Sequence, residues 1–329
     1  MCKQETNTPY PPVPFDPELA VALEQMLLGM PVFDSIESIV TARWEIAKTR
    51  VMTDEMLSRD GKFLVEDRTV PGPPDAPDIS LLVIRPNGAA SPGPVFYNIH
   101  GGGMIMGTHR NIYNELLDWA EEFNAAIISV KYRLAPETKH PGPVEDCYAG
   151  LKWAAEHSEE MGIGSGKIII IGRSAGGGLA AATALLARDR GGPALAAQML
   201  LCPMLDDRNN TPSAIQGEGR GVWDRLANKC GWTALLGEAQ GGPDVSQYAA
   251  PARASDLSNL PPTYIDVGAA ETFRDEAIAY ANNIWYAGGQ AELHVFSGVF
   301  HGHDGFVPQA AVSRDTMNAR ICWLRRIIM

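Results

Sequence analysis

Long apolar runs, an excess of positive charge and closely spaced cysteines are all missing from this sequence of 329 residues. No stretch of about 18 uninterrupted apolar residues occurs, so we expect no transmembrane helix. Lys and Arg number 27 against 39 Asp and Glu, which gives a net charge of −12. A chain with this charge lacks the positive surface that binds nucleic acid backbones or anionic membranes. We therefore expect neither a nucleic-acid partner nor a membrane span.

The chain has few cysteines, and no two of them lie close together in sequence. The five cysteines are odd in number and widely separated: Cys2, Cys147, Cys202, Cys230 and Cys322. This usage is typical of reduced thiols in an intracellular protein, because it offers neither a disulfide framework nor zinc-ligand spacing. The first nine residues have no apolar signal-peptide core. The sequence thus predicts a cytoplasmic protein that needs no metal and no cofactor.

From Phe63 onward, short apolar strands alternate with helices. Such alternation predicts an α/β fold in which helices flank a mostly parallel sheet. The first two strands have no helix between them, which predicts an antiparallel pair at the sheet edge. The helices are predicted near 111–123, 143–158, 175–189, 273–287 and 308–326. The predicted strands are Phe63–Val70, Ile79–Ile84, Pro94–Ile99, Ala125–Val130, Lys167–Ile171, Gln198–Cys202, Thr263–Val267 and Glu292–Phe296.

Two segments interrupt this alternation. The first sixty residues carry apolar side chains at helical spacing, and the glycine-rich stretch from Asp206 to Ser258 is too long for a structureless loop. We interpret residues 1–60 and 206–258 as the two parts of a helical cap. Residues 61–205 and 259–329 then form the two parts of the α/β core.

One glycine motif follows the most apolar predicted strand. The stretch Gly172-Arg173-Ser174-Ala175-Gly176 has the spacing G-x-S-x-G and leads into a helix of small residues. A sharp strand-to-helix turn of this kind exposes a serine hydroxyl at the helix N-terminus, where developing negative charge is stabilised. We therefore predict Ser174 as a nucleophile and the N–H of Ala175 as an oxyanion donor. The alternative is a tight turn with only a packing role.

A second glycine motif, His100-Gly101-Gly102-Gly103, follows an earlier predicted strand. Consecutive glycines are unfavourable in a folded chain unless several backbone N–H groups must face a ligand. We predict Gly102 and Gly103 as further oxyanion donors and His100 as a structural residue. Met104, directly after them, is expected to contact substrate in an apolar pocket.

A serine nucleophile needs a base, and histidine is the usual one near neutral pH. His301 lies in a loop after the last predicted strand, and His303 is the second candidate. The spacing H-x-H-D also occurs in metal sites, but no further ligand cluster supports that interpretation. Glu271, in the loop after another strand, is the preferred third member. Two other acids remain alternatives, namely Asp266 and Asp275.

Together these motifs resemble the hormone-sensitive-lipase-like family of α/β hydrolases over roughly residues 80–326. The matching segments are HGGG from His100, YRLAPE from Tyr132, the elbow at Ser174, the acid segment at Glu271 and F-H-G at His301. The resemblance implies an α/β-hydrolase fold with a Ser174-His301-Glu271 triad. It also implies activity on small esters with short to medium acyl chains.

The sequence departs from the family pattern at two positions. Arg173 stands where the family usually has Asp, and Glu271 stands where the triad acid is usually Asp. Glutamate is an accepted triad member. Arg173 carries a permanent charge beside the site, so we expect it to bind an anionic substrate group or to change local hydrogen bonding.

The predicted function is a serine carboxylesterase acting on a small-molecule ester through an acyl-enzyme. One alternative is an amide or formamide hydrolase similar to kynurenine formamidase, and another is a hydrolase dedicated to a specialised metabolite. A non-catalytic receptor is less favoured, because the plant gibberellin receptors that resemble this family lack the histidine that His301 supplies here. A homodimer is left open.

Overall fold

Eight strands form one central sheet in the computed structural model, which describes residues 9–31, 33–88, 93–159, 161 and 167–329, with only the backbone for residues 44–50. The order across the sheet is β1-β2-β4-β3-β5-β6-β7-β8. The strands are β1 (Phe63–Val70), β2 (Ile79–Pro86), β3 (Val95–Ile99), β4 (Ala126–Lys131), β5 (Ile168–Arg173), β6 (Ala197–Leu201), β7 (Thr263–Gly268) and β8 (Ala291–Phe296).

Six of these strands, β3 to β8, run parallel to one another, whereas β2 pairs antiparallel with both β1 and β4. The predicted parallel sheet with an antiparallel edge is thereby confirmed. Every residue of β3, β5, β6 and β7 is buried, as expected for strands covered on both faces. The carboxyl ends of the parallel strands consequently share one edge, where the loops carrying functional residues meet.

Eleven α-helices accompany the sheet within the described part of the chain. They are α1 (Pro17–Leu27), α2 (Ile36–Arg50), α3 (Asp54–Ser58), α4 (Asn114–Glu122), α5 (Gly142–His157), α6 (Ala175–Asp189), α7 (Pro212–Gln216), α8 (Arg225–Leu236), α9 (Arg274–Tyr286), α10 (His303–Phe306) and α11 (Ala311–Ile328). The five predicted core helices correspond to α4, α5, α6, α9 and α11. Helices α3, α7 and α10 have five residues or fewer, too short for a hydrophobic period to reveal them.

The core divides between the two faces of the sheet. Tyr97 of β3 packs in the same cluster as Leu151 of α5, Leu185 of α6 and Ile284 of α9. The neighbouring strand residue Phe96 packs in a second cluster with residues of α4 and α11, because successive strand side chains point to opposite faces. Helices α5, α6 and α9 thus cover one face, and α4 and α11 cover the other.

The segment 206–258 contains α7, α8 and two short 3₁₀ turns, Gly237–Ala239 and Pro251–Arg253. Its Trp223 ring lies 5.9 Å from the ring of Phe33, centroid to centroid, which joins it to the N-terminal part of the chain. Helices occur in the described parts of both segments, as predicted, while residues 1–8 lie outside the described residues. The assignment of the two segments to a cap stays a prediction.

Among the described residues, no helix combines the length and the apolar character that crossing a bilayer requires. Cys2 lies outside the described residues. Cys147, Cys202 and Cys230 are buried free thiols, and Cys322 is an exposed one.

Candidate active site

Ser174 occupies the turn between β5 and α6, at the carboxyl edge of the sheet. Its φ of 59° and ψ of −125° lie in a region that non-glycine residues rarely adopt. Its N–H donates to the carbonyl of Leu201 at 2.8 Å. A Cβ at Gly172 would lie 2.0 Å from the carbonyl oxygen of Gly176, so the turn closes only with glycine there. The G-x-S-x-G spacing thus holds the Ser174 hydroxyl in a fixed, strained position.

His301 meets Ser174 from the loop after β8. Its Nε2 lies 2.9 Å from the Oγ of Ser174, and its Nδ1 lies 3.0 Å from Oε1 of Glu271. The other carboxylate oxygen of Glu271 accepts the N–H of Gly268 at 3.0 Å, which fixes the acid at the end of β7. Hydroxyl, imidazole and carboxylate therefore form one continuous chain in the order that general-base activation of a serine requires.

The surroundings of His301 favour its protonated form. Burial lowers the pKa of His301, while Cys202 and Glu271 raise it by more, so that the pKa lies above its ordinary value of 6.5. A carboxylate in contact with the ring stabilises the imidazolium that forms when the serine proton is transferred.

The other candidate base and acids predicted from the sequence have different hydrogen-bond partners. His303 is buried with its Nε2 3.2 Å from Oγ1 of Thr316, and burial lowers its pKa to about 4. Both oxygens of Asp266 accept hydrogen bonds from Arg320, and Asp275 accepts the N–H of Ser213 at 2.7 Å. Of the candidate bases and acids, the fold brings only His301 and Glu271 to Ser174.

The triple-glycine loop lies directly against the nucleophile turn. A Cβ at Gly101 would lie 3.4 Å from the Cβ of Ser174, and Gly102 has a φ of 115° that favours glycine. Outside the helices and strands of the described residues, no backbone carbonyl accepts a hydrogen bond from the N–H of Gly102, Gly103 or Ala175. These three donors are consequently available to a ligand beside the serine.

The YRLAPE segment forms hydrogen bonds with both ends of this glycine loop. The hydroxyl of Tyr132 donates to the carbonyl of His100 at 3.0 Å, and the N–H of Ala135 donates to the carbonyl of Met104 at 2.9 Å. The ring of His100 stacks on Tyr132 with centroids 4.2 Å apart. Burial lowers the pKa of His100 to about 4, which keeps this ring neutral. The geometry supports the structural role predicted for His100, and the sequence did not indicate the bracing by Tyr132 and Ala135.

The two predicted substrate contacts, Met104 and Arg173, face the protein interior. Met104 is completely buried, and its methyl group lies near Gly178 of α6. The guanidinium of Arg173 donates two hydrogen bonds to Asp304, at 2.8 and 2.5 Å, and lies 4.0 Å from the ring centroid of Tyr113. Because its charge is already paired in the interior, Arg173 is no open receptor for an anionic substrate. The burial of Met104 favours a packing role, and the pairing of Arg173 favours the second of its two expected roles, a change in local hydrogen bonding.

Two residues near the triad were not predicted. A Cβ at Gly103 would lie 2.4 Å from the indole of Trp223, so this ring forms an apolar wall over the glycine loop. Cys202 follows β6, and its sulfur lies within 4.8 Å of donor atoms of Glu271 and His301. These three side chains are the candidates for holding a metal in the described part of the chain, although Glu271 and His301 already bond to each other. A lone Trp or Cys carries no sequence signal of its own.

Comparison with known proteins gives a consistent picture. Residues 96–304 match the family described as alpha/beta hydrolase fold. Carboxylesterase NlhH of Mycobacterium tuberculosis is 32% identical over 308 residues, covering 90% of this chain and 92% of that protein. Ethyl acetate hydrolase of Pseudomonas putida is 28% identical over 232 residues, 69% of this chain and 72% of that protein.

A solved structure is similar over almost the whole chain. The structure of a bacterial heroin esterase superposes with a TM-score of 0.86 at 38% identity, covering 96% of this chain and 98% of that one. The family match over residues 96–304 spans the glycine loop, the serine turn and the histidine loop described above. The chain therefore belongs to the hormone-sensitive-lipase-like family of α/β hydrolases and is an enzyme of the carboxylesterase class.

Proposed function

We propose that the chain hydrolyses small or medium carboxylic esters through an acyl-enzyme formed on Ser174. The observation that carries this proposal is the position of His301, with one ring nitrogen 2.9 Å from the serine oxygen and the other 3.0 Å from Glu271. A receptor that only binds a ligand has no need of this arrangement. The membership of the carboxylesterase class supports the same conclusion.

The reaction divides into two similar halves. The Oγ of Ser174 attacks the ester carbonyl carbon while the Nε2 of His301 takes the hydroxyl proton. The tetrahedral oxyanion is held by the N–H groups of Gly102, Gly103 and Ala175. The C–O bond to the alcohol breaks as His301 returns the proton to the leaving oxygen. Water then attacks the acyl carbon while His301 takes its proton. The C–O bond to Ser174 breaks as His301 returns the proton to Oγ, and the carboxylic acid is released.

Two observations support small esters as the substrates. The indole of Trp223 lies against Gly103 and limits the space beside the oxyanion donors, and the ring of Phe33 packs on Trp223. One relative is named for the hydrolysis of ethyl acetate, a very small ester. We also propose that the described parts of residues 1–60 and 206–258 form a cap over the triad, since these two rings come from those segments. The cytoplasmic location and a homodimer stay predictions.

A panel of 4-nitrophenyl esters with increasing acyl length tests the substrate class. We expect kcat/KM to be highest for short and medium acyl chains and to fall for chains of about twelve carbons or more, since each added methylene must find space under Trp223. Release of nitrophenolate followed by absorbance measures the rates. A preference for the longest chains would contradict the proposed substrate, and matched N-formyl amides distinguish an amidase.

A further inference from the structure

A chain of buried ion pairs runs alongside the catalytic triad. Arg173 donates two hydrogen bonds to Asp304, whose carboxylate also accepts from Nη1 of Arg320. Arg320 in turn donates its Nε–H to Asp266 at 2.6 Å. We call Arg173, Asp304, Arg320 and Asp266 the buried ion chain. All four side chains are 7% exposed or less.

Three of the four members of the buried ion chain lie close in sequence to a triad residue. Arg173 directly precedes Ser174, and Asp304 stands three residues after His301. Asp266 belongs to β7, the strand whose end carries the loop of Glu271. The buried ion chain consequently connects the same three segments as the Ser174-His301-Glu271 hydrogen bonds.

The burial of these charged groups affects both the stability and the geometry of the protein. Removing charges from water is unfavourable, and apolar side chains of equal volume often give equal or greater stability. Two-point hydrogen bonding between guanidinium and carboxylate, however, fixes both distance and orientation. Burial raises the pKa of Asp304, but Arg173 and Arg320 lower it by more, so the carboxylate stays ionised and keeps both partners. The pairing therefore contributes defined geometry more than stability.

We propose that the buried ion chain positions the catalytic base: the Arg173–Asp304 pair holds the loop of His301 against the end of β5, directly before Ser174. This inference rests on the proposed function. It also accounts for the departure from the family pattern at position 173, because an aspartate there would face Asp304 with like charge. Arg173 and Asp304 are positioning residues that act through His301 and do not touch substrate.

Three variants test the positioning role with 4-nitrophenyl butyrate. Arg173→Met removes the charge at similar length, Asp304→Asn keeps the shape, and Arg173→Lys keeps the charge but loses the two-point contact. We expect the first two to lower kcat about 10²-fold, because small misplacements of catalytic groups have effects of that size. KM should change by less than about threefold, since substrate contacts are intact. Arg173→Lys should give an intermediate kcat.

Arg190→Met is the matched control, because Arg190 makes a similar two-point pair with Glu145 at the end of α6 opposite Ser174, outside the triad loops and the proposed cap. We expect it to lower Tm while kcat is unchanged. Rates are measured at a temperature well below Tm. Each kcat is calculated per active site, and the fraction of active sites is determined by titrating a separate sample with a fluorophosphonate. If Arg173→Met does not fold, Asp304→Asn and Arg173→Lys carry the test.

Wild-type kcat in folded Arg173→Met or Asp304→Asn would overturn the positioning role, as would an equal loss of kcat in Arg190→Met. Failure of the proposed function gives a different result, because the wild-type protein itself would then hydrolyse no ester.

Discussion

Ser174→Ala is expected to lower kcat for ester hydrolysis about 10⁶-fold, because triad members act as one unit and the nucleophile has no substitute. Across the described residues, Ser174 is the one hydroxyl that the structure places 2.9 Å from the Nε2 of His301. His301→Gln should cause a loss of similar size. The double variant should be scarcely worse than either single one, since removing one member already disables the unit.

Rates of nitrophenyl ester hydrolysis by purified protein measure this loss. His294→Gln is a suitable control, because His294 lies half-buried on β8 and its Nε2 contacts Glu292. This control should keep wild-type kcat. Near-normal hydrolysis by Ser174→Ala would exclude the acyl-enzyme proposed here.

Glu271→Gln is expected to lower kcat about 10⁴-fold, the size of effect that follows from the wrong histidine tautomer. The N–H of Gly268 needs an acceptor, so the amide oxygen of the new side chain would face Gly268 and its NH₂ group would face His301. The Nδ1 of His301 would then accept a hydrogen bond, and the proton would reside on Nε2. A protonated Nε2 cannot take the proton of Ser174.

The same substitution should shift the pH profile. Activity needs neutral His301, so kcat/KM rises with pH through the pKa of that residue in the free enzyme. Burial lowers the pKa of His301 but Cys202 and Glu271 raise it by more, so the rise in the wild type should lie above pH 6.5, and loss of the carboxylate in Glu271→Gln should move it to lower pH. Glu271→Asp keeps the charge and should retain more activity.

Asp275→Asn serves as the control for the acid, because Asp275 lies in the first turn of α9 and accepts the N–H of Ser213. Its kcat should stay close to that of the wild type. A larger loss in Asp275→Asn than in Glu271→Gln would contradict the assignment of the third triad member.

Local sequence patterns predicted the features that are determined by residues close together in the chain. The run of four isoleucines in β5 indicates a strand buried on both faces, and the structure confirms it. The glycines around Ser174 are required by a backbone approach within the same turn, so spacing alone reveals them. His301 and Glu271 follow strands that end at one edge of a parallel sheet, which brings distant loops together.

Other features depend on partners far away in sequence. Asp304 lies 131 residues from Arg173, so no local pattern shows that the arginine charge is paired inside the protein. Met104 follows the glycine loop in sequence, but a φ of 64° at this residue and contact with α6 place its side chain in the core. The direction of a side chain after a sharp turn is set by tertiary packing, which composition and periodicity do not encode.

Covalent labelling with a fluorophosphonate probe, followed by mass spectrometry of the digested protein, tests the central assignment most directly. An activated serine beside free N–H donors reacts rapidly, whereas an ordinary serine hydroxyl does not. We predict one label per chain, on the peptide containing Ser174, and much slower labelling in His301→Gln. A probe attached to a different residue, or an unlabelled wild-type protein, would contradict the triad.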